Sequence, residues 1–329
     1  MNEPSLGVDS ASPDHSGGGA PLGAIGAGNM GAAIIRGSIQ PPRRPPGEPG
    51  DDRGPAGARV RLPAEWVAAD PDSDKRDALA ALGVPAVATI AELNERLADD
   101  ALVLLAVKPQ MLPDLAADLA RLLVGTRRSV LSILAGSTVA GIERVVCQAA
   151  AAGADLTDWT GGVLRSMPNT PAAVGRGVSA LATPAPTPGG RSPSPEQADA
   201  ARDLFRSLGS LHELDEGLID AFTAIAGSGP AYVFRFAEAM TEAGKSLGLP
   251  ADEATDIAVG TVVGAAALLE CDAADRQGSA DPAALRHAVT SKGGTTAAAL
   301  AVLEEAGLGD IVNRAAAAAR DRGRELAEG

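Results

Sequence analysis

Aromatic side chains are nearly absent from this sequence: tryptophan, tyrosine and phenylalanine together make up 2% of its 329 residues. Its core must therefore be filled by alanine, valine, leucine and isoleucine. Basic charge is also short, with a formal net charge of -14. That argues against a nucleic-acid surface or an anionic membrane as partner, although a local basic pocket stays open. Histidine is scarce, and His15, His212 and His287 stand alone. No cluster has metal-ligand spacing, so no metal is expected. The two cysteines, Cys147 and Cys271, are far apart. They read as reduced thiols of a cytoplasmic protein. The longest apolar run, Ile257 to Leu269, is too short to cross a bilayer. The polar N-terminus lacks the charged-then-apolar pattern of a signal peptide. What remains is 45% apolar and long enough for two domains.

The organising stretch is Gly26-Ala27-Gly28-Asn29-Met30-Gly31. The run Ala20 to Ile25 before it can be a strand, and Ala32 to Gly37 after it can be a helix. A G-x-G-x-x-G turn in that setting suits a dinucleotide pyrophosphate. The glycines allow a tight turn, close backbone approach and close helix–strand packing, and free N–H groups at the helix start face the anion. A glycine turn with no ligand is the bland alternative.

Around this turn the chain alternates strand and helix. Residues 1–19 have the composition of a disordered tail, and residues 40–58 are a proline- and glycine-rich surface insertion. The second strand ends at Asp70, whose carboxylate would accept from a ribose 2′-OH and oppose a 2′-phosphate. Lys75 and Arg76 follow it and could instead receive a phosphate. Helices are expected over 74–82, 90–97, 111–123 and up to Cys147, and strands over 84–88, 101–107, 129–133, 163–167 and 177–183. The pattern predicts an α/β domain over 20–183 with a doubly wound parallel sheet. Ligands of such sheets sit beyond the strands' carboxyl ends. Three segments fall there: the glycine turn, Ala106-Val107-Lys108-Pro109, and Leu134-Ala135-Gly136. In Pro168-Asn169-Thr170-Pro171, two prolines stiffen a loop that presents an amide suited to a carboxamide or carboxylate; an Asx turn is the alternative.

Residues 184–195 form a second proline-rich segment, and from 196 to 329 the pattern is helical. Within this region Val289-Thr290-Ser291-Lys292-Gly293-Gly294-Thr295-Thr296 carries the most chemistry. It joins two helices through adjacent glycines, and the N–H groups of Gly294, Thr295 and Thr296 would open the second helix towards a small carboxylate. The Thr296 hydroxyl adds one hydrogen bond. A capped turn with no ligand explains the same spacing.

Five segments taken together resemble Δ1-pyrroline-5-carboxylate reductase, the family that completes proline synthesis. They are Ile25 to Met30, Ala106 to Pro109, Met167 to Pro171, Gly227-Ser228-Gly229-Pro230-Ala231-Tyr232, and Leu285 to Leu303. The resemblance implies an N-terminal Rossmann domain, an all-α C-terminal dimerisation domain, and homodimers that can build a larger ring such as a decamer. It implies NADPH or NADH as hydride donor and a cyclic imine as acceptor. By position, Ile25, Gly26, Ala27, Gly28, Asn29 and Met30 would hold the pyrophosphate. Ala106, Val107, Lys108 and Pro109, with Ile133, Leu134 and Ala135, would line the nicotinamide. Asn94 would touch the adenosine ribose. Gly294, Thr295 and Thr296 would grip the substrate, in a pocket shaped by Val289 and Ser291. Three positions depart from the family pattern. Lys292 replaces the proline of Ser-Pro-Gly-Gly, Asp281 replaces the histidine of His-Pro, and Ser279 replaces an acid.

An iminium carbon is already electrophilic, so reduction needs positioning more than a proton-transferring side chain. The expected reaction is reduction of L-1-pyrroline-5-carboxylate to L-proline, with Thr296 orienting the ring nitrogen. Two rivals remain at this point: another Rossmann oxidoreductase, such as a 3-hydroxyacid dehydrogenase or imine reductase, and a non-catalytic nucleotide-sensing dimer. The first requires a positioned acid or base in the helical region, and the second requires no turnover.

Overall fold

A run as apolar as Ala101 to Leu105 is stable only in the middle of a sheet covered on both faces. The computed structural model of the protein puts it there. The structure describes residues 20–40, 61–150, 156–183, 190–276 and 278–328. The expected tail 1–19, and residues 41–58 and 184–189 of the two expected insertions, lie outside the described residues.

Strand β1 (Ala20–Ile25) leads into helix α1 (Asn29–Ile39), followed by β2 (Trp66–Ala69), α2 (Ser73–Ala80), β3 (Ala86–Val87) and α3 (Ile90–Asn94). Then come β4 (Leu97–Leu105), α4 (Leu112–Leu123), β5 (Ser129–Ser132), α5 (Val139–Ala150), β6 (Val163–Met167), β7 (Gly177–Ala182), α6 (Pro195–Arg206) and β8 (Gly209–Leu214). The eight strands form one sheet in the order β3-β2-β1-β4-β5-β6-β7-β8. Every pairing is parallel except β6 with β7. Alternate side chains of β4 enter the two apolar layers. Val103 and Leu105 pack with Leu119, Val130 and Ile142 on one face, and Leu102 and Leu104 pack with Ile34, Trp66 and Phe205 on the other. Trp66, Trp159 and Phe205 serve as large core pieces, and the indole N–H groups of Trp66 and Trp159 donate to Ser38 Oγ at 3.1 Å and to the Arg128 carbonyl at 2.8 Å.

Two expectations for this half change. Strand β4 starts at Leu97, so the helix expected over 90–97 stops at Asn94. The structure also adds a strand where the sequence suggested only helix from residue 196 onward. Strand β8 is an edge strand with every residue half-exposed or exposed, and its only apolar side chains, Leu211 and Leu214, do not alternate. The sheet therefore continues to Leu214.

The helical region follows: α7 (Ile219–Phe222), a π-helical turn over Thr223–Gly227, α8 (Gly229–Ser246), α9 (Ala251–Asp275), α10 (Pro282–Ala288), α11 (Thr295–Glu305) and α12 (Leu308–Glu328). Strand register fixes where it departs. Ser132 pairs with Arg165, Ser166 with Leu181, and Ala182 with Leu214. The end of β8 thus lies level with the carboxyl end of β5, where ligands of such a sheet bind. Few side chains in α8 to α12 are buried, Ala254 and Ala258 among them, whereas Phe234, Phe236, Ile257, Val263, Leu268, Val302 and Ile311 are exposed. The apolar run 257–269 expected to be too short for a membrane is embedded in α9, which has the length and apolar composition of a membrane span.

Candidate active site

The glycine turn closes against the end of β4. Gly26 has φ +94°, and a Cβ on it would lie 2.8 Å from the Ala106 carbonyl oxygen. Its N–H donates to Ala69 O at 2.9 Å, and Ala106 N–H donates to Ile25 O at 2.9 Å. A Cβ on Gly31 would strike Gly26 O at 2.4 Å, so only glycine lets α1 pack this tightly on the turn. The position of Gly28 is open, with nothing within 4 Å of a Cβ built there. Gly28 is the N-cap of α1, makes no side-chain cap, and has no acid in the turn after it. The first N–H groups of α1 have no intrahelical acceptor. An anionic pyrophosphate fits that donor set.

The other two segments expected at the carboxyl ends flank this turn. Ala106, Val107 and Pro109 are half-exposed and Lys108 is exposed. Ile133 N–H donates to Leu105 O at 3.2 Å, which brings Ile133, Leu134 and Ala135 beside the end of β4. Leu134 turns its side chain into the core, so it offers backbone to this crevice, whereas Ile133 and Ala135 are half-exposed. Thr138 caps α5 by accepting from Gly141 N–H at 3.0 Å.

Asp70 stands at the end of β2, 5% exposed. Its Oδ2 accepts from Ala27 N–H at 2.7 Å and its Oδ1 from Asp72 N–H at 3.0 Å. The carboxylate thus braces the glycine turn from beneath. Lys75 Nζ lies 3.4 Å from Oδ1. Arg76 donates to the carbonyls of Asp70 and Pro71 at 2.9 and 2.7 Å, which commits its guanidinium to closing this loop.

Two expected site residues have partners within the fold. Asn94 was expected at the adenosine ribose, but its side-chain oxygen accepts from Arg128, which also donates to Leu97 O and Ala98 O at 2.9 and 2.8 Å. These groups lie where β4 and β5 begin, at the edge opposite the glycine turn. Arg128 is buried there, and desolvation pushes its guanidinium down from its ordinary value against the raising effect of Asp99. Two residues beyond the carboxyl end of β3 stands Thr89, the N-cap of α3, which accepts from Glu92 N–H at 3.2 Å. Asn169 was expected to present a free amide. It is 5% exposed, donates from Nδ2 to Ala226 O at 2.9 Å and accepts at Oδ1 from Val178 N–H at 2.9 Å. Its amide ties β7 to the π-helical turn and does not form an Asx turn.

The 289–296 stretch forms the α10–α11 turn. Gly293 has φ +73°, and Gly294 N–H donates to Ser291 O at 3.0 Å. A Cβ on Gly294 would lie 2.3 Å from Ser291 Oγ. Helix α11 is N-capped by Gly294 with no side-chain cap and no acid in its first turn. The N–H groups of Thr295 and Thr296 point out of the helix start. The hydroxyls of Ser291, Thr295 and Thr296 make no hydrogen bond among the described residues. Thr296 is half-buried, and Val289 is 63% exposed. Every hydrogen bond of residues 289–296 among the described residues stays within α10, α11 and their turn. None joins this helix start to the glycine turn of the same chain.

One residue between the two halves escaped the sequence-based expectations. Arg165, in the middle of β6, is 3% exposed and pairs with Asp220 at 2.8 Å and Glu216 at 3.5 Å. Its Nε is buried without a partner. Glu216 Oε1 also accepts from Val139 N–H, at 2.8 Å, at the start of α5. One ion-pair group therefore links the root of the helical region to the helix that follows Ile133 to Ala135. The signal was a charge inside the apolar strand Val163-Leu164-Arg165-Ser166-Met167, which needs a partner to be tolerated there.

A Rossmann sheet with an uncapped glycine-turn helix, followed by a helical region with uncovered apolar faces, defines the architecture of an oligomeric dinucleotide-dependent oxidoreductase. Residues 21–136 match the family model "NADP oxidoreductase coenzyme F420-dependent", and residues 216–326 match "Pyrroline-5-carboxylate reductase dimerisation". The chain is 32% identical over 308 residues to a pyrroline-5-carboxylate reductase of Glycine max, covering 93% of this chain and 95% of that protein. It is 35% identical to one of Pseudomonas aeruginosa, covering 92% and 96%. A solved pyrroline-5-carboxylate reductase of Coxiella burnetii superposes with a TM-score of 0.72 at 28% identity, covering 93% of this chain and 98% of that one. The chain belongs to the pyrroline-5-carboxylate reductase family.

Proposed function

We propose that this protein reduces L-1-pyrroline-5-carboxylate to L-proline with NAD(P)H, as a homodimer joined through its helical region. The observation that carries the reading is the uncapped start of α11, where three unpartnered hydroxyls surround free N–H groups. A small carboxylate is the ligand such a helix start favours, and a cyclic imine beside it needs one orienting hydrogen bond. Family membership supplies the reaction.

In this reading the first N–H groups of α1, from Gly28 to Met30, hold the pyrophosphate. Asp70 sits under the adenosine ribose while bracing Ala27. Ala106 to Pro109 and the backbone of Ile133 to Ala135 wall the nicotinamide. Thr295 and Thr296 N–H groups hold the substrate carboxylate, and Thr296 Oγ1 bonds the ring nitrogen. The bound nicotinamide supplies a hydride to the carbon of the C=N bond. The nitrogen keeps the proton it carries as an iminium, so the product ring is a secondary amine. The protein therefore needs no acid or base side chain at the reacting carbon, only orientation and exclusion of water. Two unpaired cysteines, one half-buried and one exposed, support a reducing compartment such as the cytoplasm.

The test is NADH and NADPH oxidation with synthetic L-1-pyrroline-5-carboxylate. Thr296→Ala is expected to lower kcat/KM roughly ten- to a hundredfold while cofactor affinity and folding hold, the loss of one substrate hydrogen bond. A wild-type rate in that variant removes Thr296 from the site.

A further inference from the structure

The groups assigned above to the substrate carboxylate are all neutral: backbone N–H groups and hydroxyls. The chain as a whole carries a net charge of -14, which disfavours the approach of an anion. Lys292 is the single basic residue between Val289 and Glu305. It lies in the turn itself, two residues before the N-cap of α11 and next to Gly293, whose φ of +73° turns the chain into the helix. It is exposed, and among the described residues its ammonium makes neither an ion pair nor a hydrogen bond. Arg286 on α10 lies 3.7 Å from Glu304, which offsets its charge.

We propose that Lys292 is a specificity-determining residue, whose ammonium favours cyclic imines bearing a carboxylate over the same ring without one. The inference rests on the reading of the α11 start as the substrate site. A helix start contributes about half a unit of positive charge, and its effect fades within a turn. A lysine adds a whole charge on a flexible stem of about 6 Å, long enough to follow the carboxylate in from solvent. Its contribution is to capture the substrate and not to the reacting carbon, so it acts on KM. Because the group is exposed, salt screens it.

The experiment measures steady-state kinetics of the full-length protein with L-1-pyrroline-5-carboxylate and with 1-pyrroline, at saturating NAD(P)H. Each is run at low ionic strength and at about 0.5 M salt, where screening acts over only a few ångströms. Lys292→Met is expected to raise KM for the carboxylated imine about two- to fivefold at low salt, the range for one exposed charge pair. Lys292→Arg should restore it, added salt should erase the difference, and 1-pyrroline should respond little. An unchanged KM in Lys292→Met, or an equal loss on both imines, overturns the proposal while leaving the proposed activity intact. A wild-type enzyme that turns over neither imine overturns both together.

Discussion

Asp70 carries two loads at once. One oxygen supports Ala27 N–H in the glycine turn, and in the proposed reading the same carboxylate lies under the adenosine ribose. A 2′-phosphate brought to it would meet a negative charge, reduced by Lys75 at 3.4 Å. Asp70→Asn keeps an acceptor for Ala27 and removes that charge. The NADPH-to-NADH ratio of kcat/KM should therefore rise, by roughly fivefold, since the lysine offsets part of the repulsion. The gain should appear in the KM for NADPH. A parental ratio in the variant would place the ribose away from Asp70 and make Lys75 the residue to vary next. The bracing role of this carboxylate was not legible in the sequence, because it depends on a hydrogen bond between residues 43 positions apart.

Among the secondary-structure elements, the junction of β6, α5 and the root of the helical region depends on Arg165. Removing its guanidinium leaves Glu216 without its cation and Asp220 with Arg324 alone, at 3.9 Å. Both carboxylates reach solvent, so the cost is moderated. Arg165→Met is expected to lower stability by about 2–3 kcal/mol. Chemical denaturation would read it, and Asp220→Asn in the same chain should recover part of the loss. A midpoint equal to wild type would show that the pair contributes nothing. The central strand with its continuous apolar run, 101–105, was plain in the sequence because burial on both faces leaves little other composition. Strand β8 was not, since an edge strand with a wet face shares its composition with a loop. Asn94 and Asn169 looked like ligands because an amide's chemistry is visible in sequence, whereas the partners that use it up are brought in by the fold. The Gly-Gly-Thr-Thr helix start was legible in its Thr295 and Thr296 N–H groups, whereas the Gly294 N–H, expected to be free, donates to Ser291 O at 3.0 Å.

For the molecule as a whole, the sheet half has a finished core and the helical half does not. Phe234, Ile257, Val263 and Val302 are exposed on helices that match a dimerisation model over residues 216–326. Apolar faces of this extent are covered in solution by another surface. Light scattering should give a dimer or a multiple of one at micromolar concentration, and a stable monomer would contradict the assembly. The uncovered helices also make the amount of protein a thermodynamic variable. If folding of the helical half is completed by its partner, each tenfold rise in chain concentration adds about 1.4 kcal/mol to the folded dimer. The melting temperature should climb with concentration, and activity per chain should fall on dilution. The working stability of this enzyme is then set partly by how much of it the cell makes.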